Sequence, residues 1–584
     1  NNAIGNEISI HGNIYNRITH EPIRGVNLYI EGTDIGEQTD IDGYFSLVDI
    51  PKNNCVLVCS HIAYDDTSIM INNKITERFN IGLTKTEIKY DPIEVNYRAF
   101  DNNTSTNIIS ELELKNKMSP GEPDLFRILS TYPGINNSND FNLGLFIRGG
   151  NRDQNLILMD GMPIFNPYHF LGIFSTFDTE VIQSVELKKV ITDVKYGNRL
   201  SSVLDINIRD GNEDRHRGFV NISLISSKIR AEGPLPYGSY ILSIRRTYAD
   251  LLLNPFFKIL DKRWRIPYHF NDGIGKIILD PGPNSKTEIV TYWGKDISNG
   301  NSNRNDDNYF WTNMGVSIKN RWFISPRMNI CSQLVYSRFY NISNQKSNKN
   351  DNNFRGQFFR SFLQYSRPDF GNIEIGAQII HYKYHLMSED VSYQNITIDN
   401  TTRYSLSPFI NWEKQVSNLT AIKLGIKETF FTDKDRHKLS PYISLSNYLT
   451  DRFSLNLNYC RTHQNVMNVS NEDVAINLYN GWIGIPKNLD IMNADQTSLG
   501  INWNINKKLN MSSNIYYKKI NKLIEYNSRK RFEYESDFVQ GRAEAYGLEL
   551  LLKKKYGKIN GIVSYTYSRS RKYLYNTEYR PKYD

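Results

Sequence analysis

The sequence predicts a mainly β fold whose long C-terminal part forms a transmembrane antiparallel β-barrel. From about residue 215 onward, strands recur in which apolar side chains alternate with polar ones, as in a barrel wall between lipid and a wet lumen. Polar loops of very different length alternate with short turns in this part of the chain. No stretch approaches the roughly 18–20 apolar residues that a membrane-spanning helix needs.

The composition fits a membrane barrel and a soluble all-β protein equally well. Apolar residues make up 39% of the chain and the mean hydropathy is −0.52. A barrel has such values because only one face of each strand meets lipid. Aromatic residues, at 12%, suit both classes. With 584 residues, the chain is long enough for two or more domains.

Charge and cysteine usage indicate neither nucleic acid as a partner nor a metal centre. The net charge of +8 is spread over mixed acidic and basic residues, without a basic tail or helix. Cys55 and Cys59 lie about 13 Å apart along a predicted strand, too far for a disulfide. With Cys331 and Cys460 they are expected to be free thiols. We predict no metal and no cofactor.

Residues 1–84 predict a small β-sandwich. Apolar residues alternate with polar ones along Val26–Ile30, and a turn that contains Gly43 precedes the next strand. Asp40 and Asp42 of this turn are of a type that binds calcium. No further ligands follow at the spacing of a calcium loop, and we therefore interpret the segment as a plain turn.

Residues 85–105 form a polar connector that contains a short apolar alternation. Such a segment can add as an edge strand to the sheet of a partner protein. The alternative is a simple linker strand. The candidate segment comprises Asp91, Pro92, Ile93, Glu94, Val95, Asn96 and Tyr97.

Residues 106–212 predict a mixed α/β unit. Glu111–Lys117 and Asp124–Leu129 have helical character, whereas Leu156–Met159 and Val203–Ile208 predict strands. Tight turns are expected at Gly149, Gly150, Asp160, Gly161, Tyr196 and Gly197.

Residues 213–584 carry the barrel pattern. Leu242 and Ile244, for example, alternate with Ser243 and Arg245. One face of such a strand is apolar and the other is polar. By this criterion the sequence contains about 16 strands.

Parts of the sequence resemble the TonB-dependent receptors. Three blocks follow one another in the order of the plug domain of that family: Phe146–His169, Ser184–Leu187 and Tyr196–Ile206. Residues 1–84 resemble the carboxypeptidase-regulatory-like domain that precedes many such transporters of the Bacteroidota. The resemblance implies an outer-membrane protein with residues 106–212 as a plug inside the barrel. It also implies that the N-terminal domain lies in the periplasm and that Asp91–Tyr97 is a candidate TonB box.

The resemblance further implies a barrel of about 22 strands. The sequence ends at Asp584 in mid-pattern, and an open barrel would leave unpaired backbone groups in lipid. We therefore expect that C-terminal strands of the barrel are missing from the given sequence.

A transporter of this family implies energised uptake of a substrate across the outer membrane. Substrate binds from outside, the connector pairs with TonB and its inner-membrane motor, and the plug is remodelled to open a path. The implied partners are TonB, outer-membrane lipid and a surface lipoprotein. The sequence does not identify the substrate, since a glycan, a peptide and a metal chelate all fit.

Three residues are expected to form an ionic latch between plug and barrel. Arg148 matches the plug arginine of the family, and Glu549 matches a barrel glutamate. Because Glu549 alternates with Leu548 and Leu550, it points into the lumen if the leucines face lipid. Lys189 stands where the family has a second arginine, and a lysine lacks the guanidinium fork.

The turn Phe165–Phe170 contains candidate substrate contacts. Its polar and aromatic side chains suit many ligands, and they belong to Asn166, Tyr168 and His169. The alternative is that Phe165 and Phe170 only pack the interior of the plug.

Residue patterns typical of enzymes do not occur in the sequence. The segment after Arg148 lacks the Lys and Ser/Thr of a phosphate loop, the 10 histidines form no paired zinc motif, and Ser201 lies in no nucleophile elbow. We therefore expect that the protein is not an enzyme. Two other classes stay open: a structural or surface-binding barrel in a larger complex, such as a secretion or lipoprotein assembly, and a soluble all-β adhesin.

Overall fold

The computed structural model describes an N-terminal domain, an α/β unit and a large sheet. The described residues are 7–17, 22–33, 35–51, 55–61, 64–71, 78–84, 103–116, 123–136, 144–169, 172, 174–223, 226–248, 250–251, 268–282, 284–299, 308–344, 348–367, 369–390, 396–417, 419–432, 436–450, 452–469, 481–506, 508–527, 536–554, 560–575 and 577–581.

The N-terminal domain is the predicted β-sandwich. Its strands are β1 (Glu7–Asn16), β2 (Asn27–Ile30), β3 (Gly36–Gln38), β4 (Tyr44–Pro51), β5 (Cys55–His61), β6 (Tyr64–Ile71) and β7 (Phe79–Leu83). One sheet has the order β4-β1-β7 and the other the order β3-β2-β5-β6. Ile14, Phe45 and Leu57 are fully buried in the core of the domain. Burial of this apolar surface stabilises the domain.

The turn between β3 and β4 is held by its own side chains. One carboxylate oxygen of Asp40 accepts hydrogen bonds from the backbone N–H groups of Asp42 and Tyr44, both at 2.9 Å. Gly43 has a φ of 68°, a conformation that favours glycine. The segment is therefore the predicted Asx-type turn.

The α/β unit, called the plug below (residues 103–212), has a five-stranded sheet of order β12-β11-β16-β15-β8. Its elements are β8 (Thr106–Ser110), α1 (Glu111–Asn116), α2 (Leu125–Leu129), β9 (Ile135–Asn136), β10 (Phe146–Ile147), a 3-10 turn (Arg152–Gln154), β11 (Asn155–Met159), β12 (Met162–Pro163), β13 (Tyr168–His169), β14 (Phe174–Ser175), β15 (Ile182–Lys188) and β16 (Ser202–Ile208). The Asp124 carboxylate caps α2 by accepting from the N–H of Phe126 at 2.9 Å. Both helices lie where the sequence predicts them.

The remaining strands form one large antiparallel sheet of 18 strands, called the wall below, and one separate hairpin of two strands. They are β17 (Arg217–Ile222), β18 (Ser226–Leu235), β19 (Gly238–Thr247), β20 (Tyr268–Gly282), β21 (Ser285–Asn299), β22 (Asn308–Ser325), β23 (Met328–Asn344), β24 (Asn348–Arg367), β25 (Gly371–Asp390), β26 (Ile396–Ser417), β27 (Thr420–Phe431), β28 (Arg436–Thr450), β29 (Phe453–Gln464), β30 (Val466–Val469), β31 (Gly481–Gly484), β32 (Met492–Asn506), β33 (Leu509–Tyr526), β34 (Phe538–Lys554), β35 (Gly561–Leu574) and β36 (Thr577–Tyr579). Each wall strand pairs with the next, except that β30 and β31 pair only with each other and β29 is followed in the sheet by β32.

Among the described residues the wall has 18 strands, against about 16 counted from the sequence. β36 has three residues, too few for a period of two to be recognised. Within the described part of the chain, β17 and β36 are not paired with each other.

Side chains along the wall strands alternate between the two faces, as predicted. On β19, Leu242 and Ile244 are 44% and 51% exposed, whereas Ser243 and Arg245 between and beside them are buried. On β34, Leu548 is exposed and Glu549 is 1% exposed. The outer face of the wall is thus apolar and the inner face polar, which suits lipid outside and a polar interior.

The wall surrounds the plug. Plug groups contact strands that are distant from one another in the sheet: Asp178 with Lys228 of β18 at 3.2 Å, and Asn151 with Lys572 of β35 at 3.0 Å. In between, Gln496 of β32 donates to the plug backbone at 2.7 Å. The plug therefore lies inside the curved sheet. The exact domain boundaries given above stay predictions.

The long connection between β29 and β32 folds inward rather than away from the wall. Its strands β30 and β31 form a hairpin whose Val466 and Ile483 are fully buried. Trp482 packs edge-to-face on Phe165 of the plug at 5.4 Å, and its backbone N–H donates to Asn352 of β24 at 2.9 Å. This hairpin therefore packs between the plug and the wall at the end of the sheet that carries the long connections.

The N-terminal domain contacts the other end of the wall, where the connections are short turns. Arg321 of β22 contacts Asp40 at 2.8 Å and Asp42 at 2.7 Å, and Lys319 contacts Asp42 at 2.9 Å. Arg78 contacts Asp280 of β20 at 2.8 Å. The predicted turn thus serves as an acidic docking element against the wall.

None of the helices in the described part of the chain is long and apolar enough to cross a membrane. The four cysteines are free, as expected, and three of them are buried.

Candidate site between the plug and the wall

A buried ion cluster joins the plug to β34. The guanidinium group of Arg148 donates to both carboxylate oxygens of Glu549, at 2.8 and 3.0 Å. Both side chains are 1% exposed, and the guanidinium also lies 4.6 Å from the ring centre of Tyr516. Such a bidentate pair is directional as well as strong.

Lys189 completes this cluster. Its ammonium group lies 2.5 Å from Glu549 and donates to the Pro133 carbonyl at 3.2 Å. Burial lowers the pKa of Lys189 to about 8, although the Glu549 carboxylate acts in the opposite direction. A Cβ atom at Gly134 would collide with the Glu549 carboxylate, so this glycine makes room for the cluster. The structure therefore brings together all three residues expected to form the latch, and their mechanical role stays a prediction.

The turn that holds the candidate substrate contacts is buried. His169 lies 2.7 Å from Asp296 and 2.9 Å from Asp272 of the wall, and its ring stacks on Phe270 at 4.0 Å. Burial alone would lower the pKa of His169, but the two aspartates more than offset it and the pKa is raised. In the described part of the chain, His169 therefore forms a buried ion pair with the wall.

The two neighbouring candidates are buried as well. Tyr168 is 9% exposed, and its hydroxyl accepts from the Leu145 N–H at 3.3 Å. Asn166 is 8% exposed, and its carbonyl accepts from Asn313 of the wall. Phe165 packs on Phe354 at 4.7 Å. Phe165 thus packs as in the alternative interpretation; contact of the other three with substrate stays a prediction, and Phe170 lies outside the described residues.

The predicted plug turns bring the plug backbone close to the wall. Asp160 and Gly161 have φ values of 45° and 75°, as a two-residue hairpin between β11 and β12 requires. Gln333 of β23 donates to the Asp160 carbonyl at 2.9 Å. Gly149 has a φ of 68°, and a Cβ atom there would lie 2.8 Å from Ala545 of β34. A Cβ atom at Gly150 would lie 2.4 Å from the Ser201 hydroxyl oxygen. Both glycines therefore stand where a side chain would collide with a neighbouring residue.

The turn at Tyr196 and Gly197 is part of a plug loop, Asp193–Arg199, that separates two cavities. The Tyr196 hydroxyl donates to Asp205 at 2.7 Å. A Cβ atom at Gly197 would lie 3.1 Å from the ammonium group of Lys427 on β27. The cavities, of about 40 and 20 Å³, lie between this loop and strands β23–β29.

Sequence reasoning missed three cations around this loop: Arg199, Arg360 and Lys427. Arg360 and Lys427 occupy inward positions of their strands, so charge at lumen-facing positions of the alternation is the signal that identifies them. Arg199 directly follows the predicted Tyr196–Gly197 turn. No local pattern indicates what these cations face.

The candidate TonB box, Asp91–Tyr97, lies outside the described residues. In the part of the chain that the structure describes, no group of three or more His, Cys, Asp or Glu side chains is arranged to hold a metal ion.

Family models match the first two domains. A carboxypeptidase-regulatory-like domain matches residues 10–95, and a TonB-dependent receptor plug domain matches residues 98–202. No curated protein matches the chain by sequence.

Solved structures share the fold at low sequence identity. The siderophore receptor PirA of Pseudomonas aeruginosa is 14% identical, with a TM-score of 0.59 over 82% of this chain and 85% of that one. The outer-membrane transporter YddB of Escherichia coli is 11% identical, with a TM-score of 0.60 over 82% and 81%. The ferric-catecholate import receptor Fiu of Escherichia coli is 12% identical, with a TM-score of 0.58 over 81% and 80%. The chain thus contains a TonB-dependent receptor plug domain, preceded by a carboxypeptidase-regulatory-like domain, and it shares its fold with these solved structures.

Proposed function

We propose that the chain takes up a substrate across the outer membrane through its plugged barrel, with energy supplied by TonB. One observation carries this proposal: the plug fills the interior of the wall and is tied to it by buried charges on separate strands. Arg148 contacts Glu549 of β34, and His169 contacts Asp272 of β20. A substrate can pass through the barrel only if these contacts between plug and wall are broken. Breaking buried ion pairs needs an energy source.

The proposed orientation places the N-terminal domain in the periplasm and the long connections at the cell surface. The domain supports this orientation because it docks beside the short turn between β22 and β23, where Arg327 contacts Asp49. Barrels of the outer membrane have short periplasmic turns and long outer loops. The apolar outer face of the wall then meets outer-membrane lipid. In this role the protein has no catalytic function.

The proposed contact with TonB is strand addition by Asp91–Tyr97. Capture of the full chain by an immobilised periplasmic domain of TonB tests it directly. We expect capture of the intact chain, loss of capture when residues 85–105 are deleted, and strong weakening by Ile93→Pro or Val95→Pro, because proline removes a ladder donor. Thr86→Pro is the matched control outside the candidate box and should leave capture unchanged.

Equal capture of the intact and deleted chains would contradict this assignment. No capture of either chain would favour the alternative function, a structural or surface-binding barrel in a larger assembly. Outer-membrane fractionation and heat-modifiable migration in detergent test the location. A protein that stays in the soluble fraction would contradict the membrane assignment.

A further inference from the structure

The charges between the plug and the wall differ from one side of the barrel to the other. On strands β18–β21, buried cations of the inner face have carboxylate partners. Lys228 lies 3.2 Å from Asp178, and Lys276 lies 2.8 Å from Asp210. This ion-paired side resembles an ordinary buried interface, in which charges compensate one another.

At strands β23–β29, called the cationic side below, three cations have no such partner: two belong to the wall and one to the plug. The Arg360 guanidinium donates to Gln333 at 2.7 Å and to the Lys195 carbonyl at 3.3 Å, and its Nε is buried without an acceptor. The Lys427 ammonium donates to the Gln378 amide oxygen at 2.7 Å. Among the described residues, neither has a carboxylate within 4 Å.

The third cation belongs to the plug. Arg199 is 3% exposed, donates to the Asn198 carbonyl at 2.7 Å and lies over the Trp482 ring at 5.2 Å. Its Nε is also buried without an acceptor. Its guanidinium likewise meets no carboxylate within 4 Å in the described part of the chain.

The acids on the cationic side are used elsewhere. Asp193 and Glu374 lie 3.5 and 3.1 Å from the ammonium group of Lys195. The lining of the larger cavity, of about 40 Å³, includes Lys195, Arg199 and Arg360 and contains no aspartate or glutamate. Lys427 lines the adjoining cavity on the other side of the plug loop. Beside these two small cavities the cations therefore outnumber the carboxylates, although Asp193 lines the second cavity together with Lys427.

Such an arrangement is costly unless an anion completes it. An uncompensated buried charge costs several kcal/mol. A lysine relieves part of this cost by losing its proton, whereas an arginine stays charged in proteins. Guanidinium groups match carboxylate and phosphate oxygens geometrically. Two arginines beside one cavity and a lysine beside the adjoining one therefore fit a ligand with several acidic oxygens.

We propose that these two adjoining cavities, with the plug loop between them, bind an anionic group of the transported substrate, a carboxylate- or phosphate-bearing small molecule, through Arg199 and Arg360 on one side of the loop and Lys427 on the other. The inference rests on the proposed function and adds to it the charge class of the substrate. It also assigns the cationic side as the side along which the substrate passes the plug.

Binding of two probe anions to the full chain in detergent micelles at low ionic strength tests the proposal. Citrate stands for a polycarboxylate and pyrophosphate for a phosphate, and sucrose is the neutral probe. We expect saturable calorimetric binding of at least one anion, weakened by added salt, and no binding of sucrose. In Arg360→Gln/Lys427→Gln the affinity should fall at least tenfold.

A matched control removes the same charges from the other face of the same part of the wall. Arg355 and Lys383 are cross-strand partners on β24 and β25 and alternate with the inward residues Phe354 and Tyr382. Arg355→Gln/Lys383→Gln should bind the anion within twofold of wild type. Binding that is equal in both double variants, or absent from the wild-type chain, would overturn the proposal.

Thermal unfolding provides a second readout that a structural role would change in the opposite direction. If the cations await a ligand, Arg360→Gln/Lys427→Gln should unfold at or above the wild-type temperature, and the bound anion should stabilise only the wild-type chain. A variant that unfolds well below wild type would instead make these cations structural and overturn the proposal. Anion binding without TonB capture would contradict only the proposed function. TonB capture without anion binding would contradict only this site.

Discussion

Arg148 of the plug and Glu549 of β34 are joined by two parallel hydrogen bonds of 2.8 and 3.0 Å, although they are 401 positions apart in the sequence. The Glu549 carboxylate also accepts a hydrogen bond from the ammonium group of Lys189. One barrel residue therefore holds two cations of the plug. Removing it leaves both cations buried without their counter-charge.

We expect Glu549→Gln to loosen the plug. The loss should be about 3 kcal/mol of plug stability, or less where lumen water solvates the cations. Leakage of a large antibiotic through the outer membrane should rise, and the thermal unfolding midpoint in detergent should fall. Glu544→Gln, which removes a carboxylate from an outward position of the same strand, is the control. Leakage equal to wild type in both variants would contradict the latch.

His169→Ala should also destabilise the plug, because Asp272 and Asp296 would lose their shared partner in a buried site. A loss of about 3 kcal/mol is expected. Tyr168→Phe removes only a hydroxyl and should change the unfolding midpoint little. If His169→Ala is as stable as wild type but binds substrate more weakly, His169 is a substrate contact and not a tie to the wall.

Asp160 predicts a pH dependence of plug stability. Burial raises its pKa to about 7, although Lys276 lies 3.7 Å away. Between about pH 4 and pH 7 the folded plug therefore holds a proton that the unfolded chain has released. Stability contributed by this group is present at the acidic end and falls as pH rises, by up to about 4 kcal/mol. Asp160→Asn should abolish this slope in unfolding curves recorded from pH 4 to pH 7; an unchanged slope would contradict the assignment.

A disulfide can test on which side the plug opens. A Cβ atom at Gly425 of β27 would lie 2.9 Å from a methyl carbon of Val194, so Val194→Cys/Gly425→Cys can form a disulfide on the cationic side. Oxidised, this variant should lose energised uptake of citrate or pyrophosphate, whichever binds, and a reductant should restore it.

The control tether lies on β22, which adjoins the ion-paired side. A Cβ atom at Gly315 would lie 3.3 Å from the Cγ of Met162, and Met162→Cys/Gly315→Cys should leave more of the uptake intact when oxidised. Complete loss with the control tether and full uptake with the first would reverse the assignment of the opening side.

Local alternation predicted most of the architecture. The period of two was enough to place Leu548 outward and Glu549 inward, and Gly43 and Gly161 marked turns that require positive φ. Capping by Asp124 is likewise a local feature of the sequence. Each of these depends on residues a few positions apart, for which sequence reasoning is informative.

Contacts across the lumen could not be predicted in the same way. The link between His169 and Asp296 joins residues 127 positions apart, and no local period specifies that distance. The inward position of the hairpin carrying Trp482 has no local signal, because its burial depends on Phe165 and Asn352 from other units. The unpaired state of Arg360 and Lys427 is visible only when all neighbours are placed.

Docking of the N-terminal domain has a mechanical consequence. Residues 85–102 follow a domain held to the wall by Asp40 and Asp42, and they precede a plug held to the wall by Arg148. A force on the connector therefore acts at once on the contacts of the N-terminal domain with the wall and on those of the plug with the wall. The docking carboxylates are partly exposed, whereas the Arg148 pair is 1% exposed. Since exposed ion pairs are weak and screened, the domain should detach first, and only the remaining tension acts on the plug.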